Sequence, residues 1–155
     1  MEEKTTTMLM KEITTTSEID LFLKKNDKHM NAPSNIAEYL NDIINKKGLK
    51  KSKIITDSGL NKTYFYEILS GKKGRDFKQN TVLAIAIAMK MTLEETQRLL
   101  KLCKAGELYP KIRRDNIIIW GITQKKDLID IDLKLIDEKE EPIMKPVDNL
   151  SKGKK

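Results

Sequence analysis

Residues 54–71 read IITDSGLNKTYFYEILSG, from Ile54 to Gly71. Ile54, Ile55, Leu60, Phe65, Ile68 and Leu69 mark the faces that two short helices would bury. Gly59 falls between them, where glycine's access to the left-handed conformation ends a helix at little steric cost. Asn61 follows as the N-cap of the second helix, its side-chain oxygen placed to accept a bond from an early backbone N–H. The stretch therefore predicts a helix from Lys51, a turn of about three or four residues, and a helix from Lys62 to about Leu69. Helix, glycine turn, helix is the layout that sets a second helix in a DNA major groove.

Charge converges on the same place. Of a net charge of +7 over 155 residues, the window from Lys46 to Lys78 holds ten Lys or Arg against Asp57, Glu67 and Asp76. That window alone matches the charge of the whole chain. Residues 127–141 run the other way, with seven acids against two lysines. A basic block beside acidic flanks predicts a directed electrostatic face rather than a uniformly sticky surface. A 39% hydrophobic content suits one domain with a core of ordinary size, and 5% aromatics leave Ile, Leu, Met and Ala to build it. No apolar run approaches the roughly 20 residues of a membrane span. The N-terminus lacks the basic start and apolar centre of a secretory signal. A single cysteine, Cys103, excludes an internal disulfide and fits a reducing cytoplasm.

Working outward, residues 1–16 are polar and Thr-rich and are expected to be poorly ordered. Thr16 or Ser17 could cap a short helix through Lys25. NDKHMNAPSN then reads as a linker, with His29 exposed and Pro33 closing it. Ser34 or Asn35 caps a helix to about Lys47, where Ile36, Leu40, Ile43 and Ile44 share one face and Gly48 is the stop. Beyond the central pair, GKKGRDFKQN is a loop and TVLAIAIAMKM a helix apolar nearly all round, hence central. Thr92 and Glu95 form a capping box opening a helix through about Lys104, with Leu93, Thr96, Leu99, Leu100 and Cys103 inward and Gly106 as its end. Asn116 to Trp120 predicts a short helix packing Ile117, Ile118 and Trp120. Arg113 and Arg114 enter it, facing a phosphate, an acidic neighbour or solvent. DLIDIDLKLID alternates like a strand, yet Leu128, Ile131 and Leu135 suit a helix, and the helical neighbours favour helix. The closing prolines and lysines predict a flexible tail. The expected organisation is a polar N-terminal segment (1–33), a helix-turn-helix domain (34–105), a C-terminal helical extension (106–141) and the tail (142–155).

Catalytic patterns are missing. His29 and Cys103 are far apart, in a linker and on an apolar face, and no phosphate-binding or zinc motif occurs. Asp130 and Asp132 lack the glycine and terminal Glu of a calcium loop and are expected on a solvated face. The reading implies no enzyme, no cofactor, no metal and no small-molecule ligand. With Phe65, Ile68 and Leu69 inward, Lys62, Thr63 and Tyr66 become the candidates for reading base edges. Lysine suits guanine acceptors, threonine offers a hydroxyl and a methyl, and tyrosine can donate or pack. Lys51, Lys53, Lys72, Lys73, Arg75 and Lys78 are candidate phosphate contacts, which set register without reading sequence.

The same residues carry a family resemblance. Gly59-Leu60-Asn61 at the turn, Ile68 in the following helix, Gly71-Lys72 after it and AMKMTLEE beyond resemble the lambda-repressor/Cro-like, or XRE, helix-turn-helix family from Ile36 to about Leu100. The resemblance implies a five-helix domain whose recognition helix is led by Lys62 and Thr63. It puts Lys51 where the family often has a phosphate-contacting glutamine, and Ser70 at a common backbone-contact site. Ile55 stands where a small Ala is usual and Leu69 where Glu is frequent, which implies a repacked helix pair. LYPKIRRDNIIIWGI resembles, more loosely, bacterial XRE-like proteins with a C-terminal helical extension.

The expectation is an all-α bundle, cytoplasmic and binding double-stranded DNA as a bacterial or mobile-element transcriptional regulator. Its rival is a protein-interaction adaptor that keeps the fold without reading DNA. Homodimers are usual for such domains, and the sequence does not decide whether the N-terminal helix or the C-terminal extension supplies the contact.

Overall fold

The computed structural model describes residues 6–27, 34–72 and 77–144. The expectations for His29 and the rest of linker residues 28–33, for Lys73, Arg75 and the tail after Met144 lie outside the described residues, as do the side chains of Ser34 and Asn35, while Asn26, expected to open the linker, is the last residue of a helix. Among the described residues all regular structure is α-helical: α1 (Thr6–Thr15), α2 (Ile19–Asn26), α3 (Ser34–Lys47), α4 (Lys51–Ser58), α5 (Lys62–Leu69), α6 (Gln79–Ala88), α7 (Leu93–Leu102), α8 (Arg113–Thr123) and α9 (Leu128–Asp137). The chain divides into two units, Met1–Ala32 and Pro33–Lys155.

The first unit corrects one expectation. Residues 6–15 form a helix rather than a poorly ordered lead. Its threonines fit because their hydroxyls bond back to carbonyls one turn earlier, Thr14 Oγ1 to Met10 at 2.8 Å and Thr15 Oγ1 to Lys11 at 2.9 Å. Thr16 does not cap α2; its hydroxyl accepts from the Glu18 N–H, and Glu18 occupies the N-cap without a side-chain bond.

In the second unit α6 is the centre. Val82 to Ala88 are all buried, so the apparent alternation of LAIAIA belongs to a helix covered on every side. It packs against α4, α7 and α9, while α3 packs on α5 and α7, and α8 on α7 and α9. Ile36, Leu40, Ile43 and Ile44 on α3 enter the same core, as do Leu99, Leu100 and Cys103. Burial pushes the Cys103 thiol up to about 12, which leaves it an inert core residue. α7 ends at Leu102, before Lys104, and the residue that turns the chain is Lys104 itself at φ 54°. Lys90, Lys125 and Lys139 take the same left-handed conformation at φ 53°, 57° and 63°. In each case the next residue's N–H bonds back across the last helical turn, as Ala105 does to the Leu100 carbonyl.

The capping box forms as expected: Thr92 Oγ1 accepts from the Glu95 N–H at 3.1 Å, and Glu95 Oε1 accepts from the Thr92 N–H at 2.9 Å. Lys47 Nζ reaches the same carboxylate oxygen at 2.7 Å, pinning α3 to α7. Partial burial pushes the Glu95 carboxyl up, but the lysine and the backbone N–H prevail and hold it below the usual range. A depressed carboxyl stabilises the fold above the ordinary pKa, and that contribution is lost as pH falls through the lowered value. Glu95→Ala should cost about 1 kcal/mol at neutral pH. Urea unfolding repeated at successively lower pH should show the difference shrinking as the Glu95 carboxyl protonates and the interaction is lost. A difference unchanged with pH would remove Glu95 from this role.

C-terminal to the capping box, two further expectations change. The helix holding Trp120 is longer than expected, Arg113–Thr123, and buries Ile118 and Ile122 while Trp120 stays 40% exposed beneath Lys126 Nζ at 5.6 Å. Asp132 is buried rather than solvated, because its carboxylate accepts the Ile143 and Met144 N–H groups at 2.6 and 3.0 Å. Residues 142–144 are accordingly no loose tail: Ile143 is in the core. Leu128–Asp137 form a helix, with Asp127 extended at its N-cap.

Candidate nucleic-acid interface

The α4–turn–α5 unit is built from its own sequence. Gly59 sits at φ 72° and its N–H bonds to the Ile55 carbonyl at 3.1 Å, ending α4. Ser58 is wholly buried, its hydroxyl donating to the Ile55 carbonyl at 3.2 Å and accepting the Leu60 N–H at 3.3 Å. Asn61 Oδ1 accepts from the Tyr64 N–H at 3.1 Å and starts α5. These three residues fix the angle at which α5 leaves the turn.

α5 is then divided lengthwise. Phe65, Ile68 and Leu69 are in the core, and Ile55 on α4 is half-buried against it, so both departures from the family pattern pack inward. Lys62 and Thr63 are exposed on the first turn, and Tyr66 is 41% exposed one turn on. Lys51, the first residue of α4, places Nζ 6.0 Å from the centre of the Tyr66 ring, within cation–π range. One phosphate-contact candidate, Lys51, is thus brought beside one base-reading candidate, Tyr66. At the C-terminal end of α5 Ser70 Oγ donates to the Glu67 carbonyl at 2.9 Å, and Asn41 Nδ2 holds the Leu69 carbonyl at 3.0 Å, tying α5 to α3. Lys72 is exposed just past α5, and Lys78 is exposed at the N-cap of α6. Lys53 differs from the others, since Asp57 accepts from its Nζ at 2.8 Å and holds the ammonium above its usual range.

The C-terminal segment backs this unit in a way the sequence did not announce. Arg113 does meet acidic neighbours, Glu138 at 2.5 Å and Glu140 at 3.0 Å. Arg114 instead donates to the Glu141 carbonyl at 2.8 Å and to Asn80 Oδ1 at 3.0 Å. With Asp132 holding the next two N–H groups, Met144 is delivered to the turn, where its Cε would lie 2.9 Å from a Cβ placed on Gly59. Asp132→Ala should therefore orphan two backbone N–H groups and cost about 1–3 kcal/mol. The amides of Ile143 and Met144 should lose hydrogen-exchange protection; if they keep it, the carboxylate is not the anchor. Asp132 was invisible from sequence because both its partners are backbone groups.

Among the described residues no group of three or more His, Cys, Asp or Glu could hold a metal, and no helix is long and apolar enough to cross a membrane. The chain matches no protein-family model, no curated protein and no solved structure.

Proposed function

We propose that the chain is a sequence-specific DNA-binding protein of the lambda-repressor/Cro-like kind, a cytoplasmic transcriptional regulator of bacterial or mobile-element type. The observation that carries this reading is the lengthwise division of α5, with Phe65, Ile68 and Leu69 in the core and Lys62, Thr63 and Tyr66 in solvent, Tyr66 beside Lys51. In this reading the first turn of α5 enters the major groove. Lys62 donates to guanine acceptors, the Thr63 hydroxyl and methyl meet a base edge, and Tyr66 packs or donates behind them. Lys51, Ser70, Lys72 and Lys78, with Lys73 and Arg75 from the loop, hold phosphates on either side. Lys53 contributes less, its charge being met by Asp57. Glu95, Asp132 and the turn residues supply rigidity, so that little ordering is left for binding to overcome.

A titration of the full chain against a random duplex pool over a salt series tests this. Affinity should fall linearly on a log–log plot with a slope near −0.9 per neutralised phosphate, or roughly −4 to −5 per chain for Lys51, Lys72, Lys73, Arg75 and Lys78 together. Absence of binding even at low salt would favour the adaptor reading, in which the same exposed face docks a protein.

A further inference from the structure

α9 is amphipathic in an unusual sense, since the side turned from the core is also apolar. Leu128, Ile131 and Leu135 are buried, while Ile129, Leu133 and Ile136 are 73%, 61% and 53% exposed. Their i, i+4, i+7 spacing makes one outward stripe. Along one flank of that stripe run Lys126, just ahead of α9, and then Asp130, Lys134 and Asp137 on the helix, alternating in sign about once per turn. With Leu133 and Trp120 they line a single shallow depression. Scattered exposed apolar residues are ordinary, but a continuous stripe edged by an aromatic ring marks a contact surface.

We propose that this face is a self-association surface on which a second copy packs its α9 antiparallel, across a two-fold axis passing near Leu133. In such a contact whatever residue i meets must meet i in return. Antiparallel pairing sets Ile129 against the partner subunit's Ile136 and brings the two Leu133 side chains together at the axis. The two-fold also lays the charged flank against its own copy in reverse order. Lys126 then meets the partner subunit's Asp137, and Asp130 meets the partner subunit's Lys134. Every charge is opposed by its opposite, within one helical turn of the register that closes the apolar stripe. An unrelated partner has no reason to match that reversed order; a copy of this helix matches it by construction. Among the described residues of one chain Lys134 reaches Asp137 at 3.9 Å and Glu138 at 3.3 Å, surface contacts that exchange easily. A ten-residue helix is about 15 Å long. The contact is therefore at the small end of specific interfaces, and dissociation in the micromolar range is expected. None of this depends on the DNA-binding reading.

Sedimentation equilibrium of the full chain without DNA, from micromolar to millimolar concentration, tests the proposal. The emission of Trp120, the sole tryptophan, is followed in parallel. The expected result is a monomer–dimer equilibrium in which Trp120 emission moves to shorter wavelength as the dimer fills. Leu133→Asp should abolish it, and Asp130→Lys should weaken it roughly tenfold or more by setting like charges face to face. Adding Lys134→Asp to Asp130→Lys should restore most of the loss, since the reversed order again opposes unlike charges. All three positions are exposed, and circular dichroism checks that each variant folds. A monomer across the whole range overturns the proposal. So does a dimer indifferent to Leu133→Asp, or a charge swap that fails to rescue. A dimer lost on Leu21→Asp instead would assign association to the exposed apolar residues of α2, which also overturns it.

Discussion

Lys62→Ala should leave the fold intact and change base preference at one or two positions of the bound site by about 1–3 kcal/mol. Lys62 is exposed on the first turn of α5 and no core contact depends on it, so the change is confined to what its ammonium touches. Thr63→Ala should alter a neighbouring position, through loss of a hydroxyl and a methyl. Lys72→Ala is the contrast. It lies past the end of α5, near the DNA backbone in the arrangement proposed above, and should weaken all sequences alike while reducing the salt slope by about one. Affinities of each variant for a panel of single-base changes separate the two behaviours. Equal and uniform losses from all three would mean that α5 does not read bases.

Gly121→Ala should destabilise the protein by about 1–3 kcal/mol. Helix propensity alone would favour alanine by about 1 kcal/mol, so the sign of the result decides which effect wins. Packing should win, because a Cβ at Gly121 runs into Ile131 Cγ1 and lies 2.6 Å from its Cδ1. Ile131 is fully buried between α9 and the rest of the core and has no free direction in which to retreat. Ile131→Ala should cost about 2–5 kcal/mol by leaving a cavity. In that background Gly121→Ala should be neutral or stabilising, since the atoms it would strike are gone. A urea-denaturation cycle over the four proteins measures this coupling. Additive losses would show that the two helices are not held apart by this contact.

Much of the fold was legible because its signals are local. Gly59 and Asn61 declare a helix end and a helix start within three residues, and Thr92 with Glu95 does the same for α7. The spacing of Leu128, Ile131 and Leu135 favoured a helix over the competing alternation, and burial of all three gives the reason. Features set by distant partners were not legible. Asp132 reads as a surface acid until the chain returns to offer it two N–H groups. Trp120 reads as a core anchor, but a positive neighbour and a half-open position suit it better. Lys104 at positive φ turned the chain after α7 where Gly106 was the expected signal, and Lys90, Lys125 and Lys139 do the same after α6, α8 and α9, where no local residue type announced it. At the candidate interface the division of α5 followed from periodicity. The pinning of Lys53 by Asp57 and the packing of Met144 on Gly59 are properties of the folded chain that periodicity alone does not announce.

The central claim is that the first turn of α5 reads DNA sequence, and selection of bound duplexes from a random library tests it most directly. The predicted result is enrichment of one motif, arranged as two related half-sites with centres about 10 bp apart. Lys62→Ala should enrich a relaxed version of the same motif. A bound pool whose base composition stays random through successive rounds would contradict sequence-specific recognition by this chain.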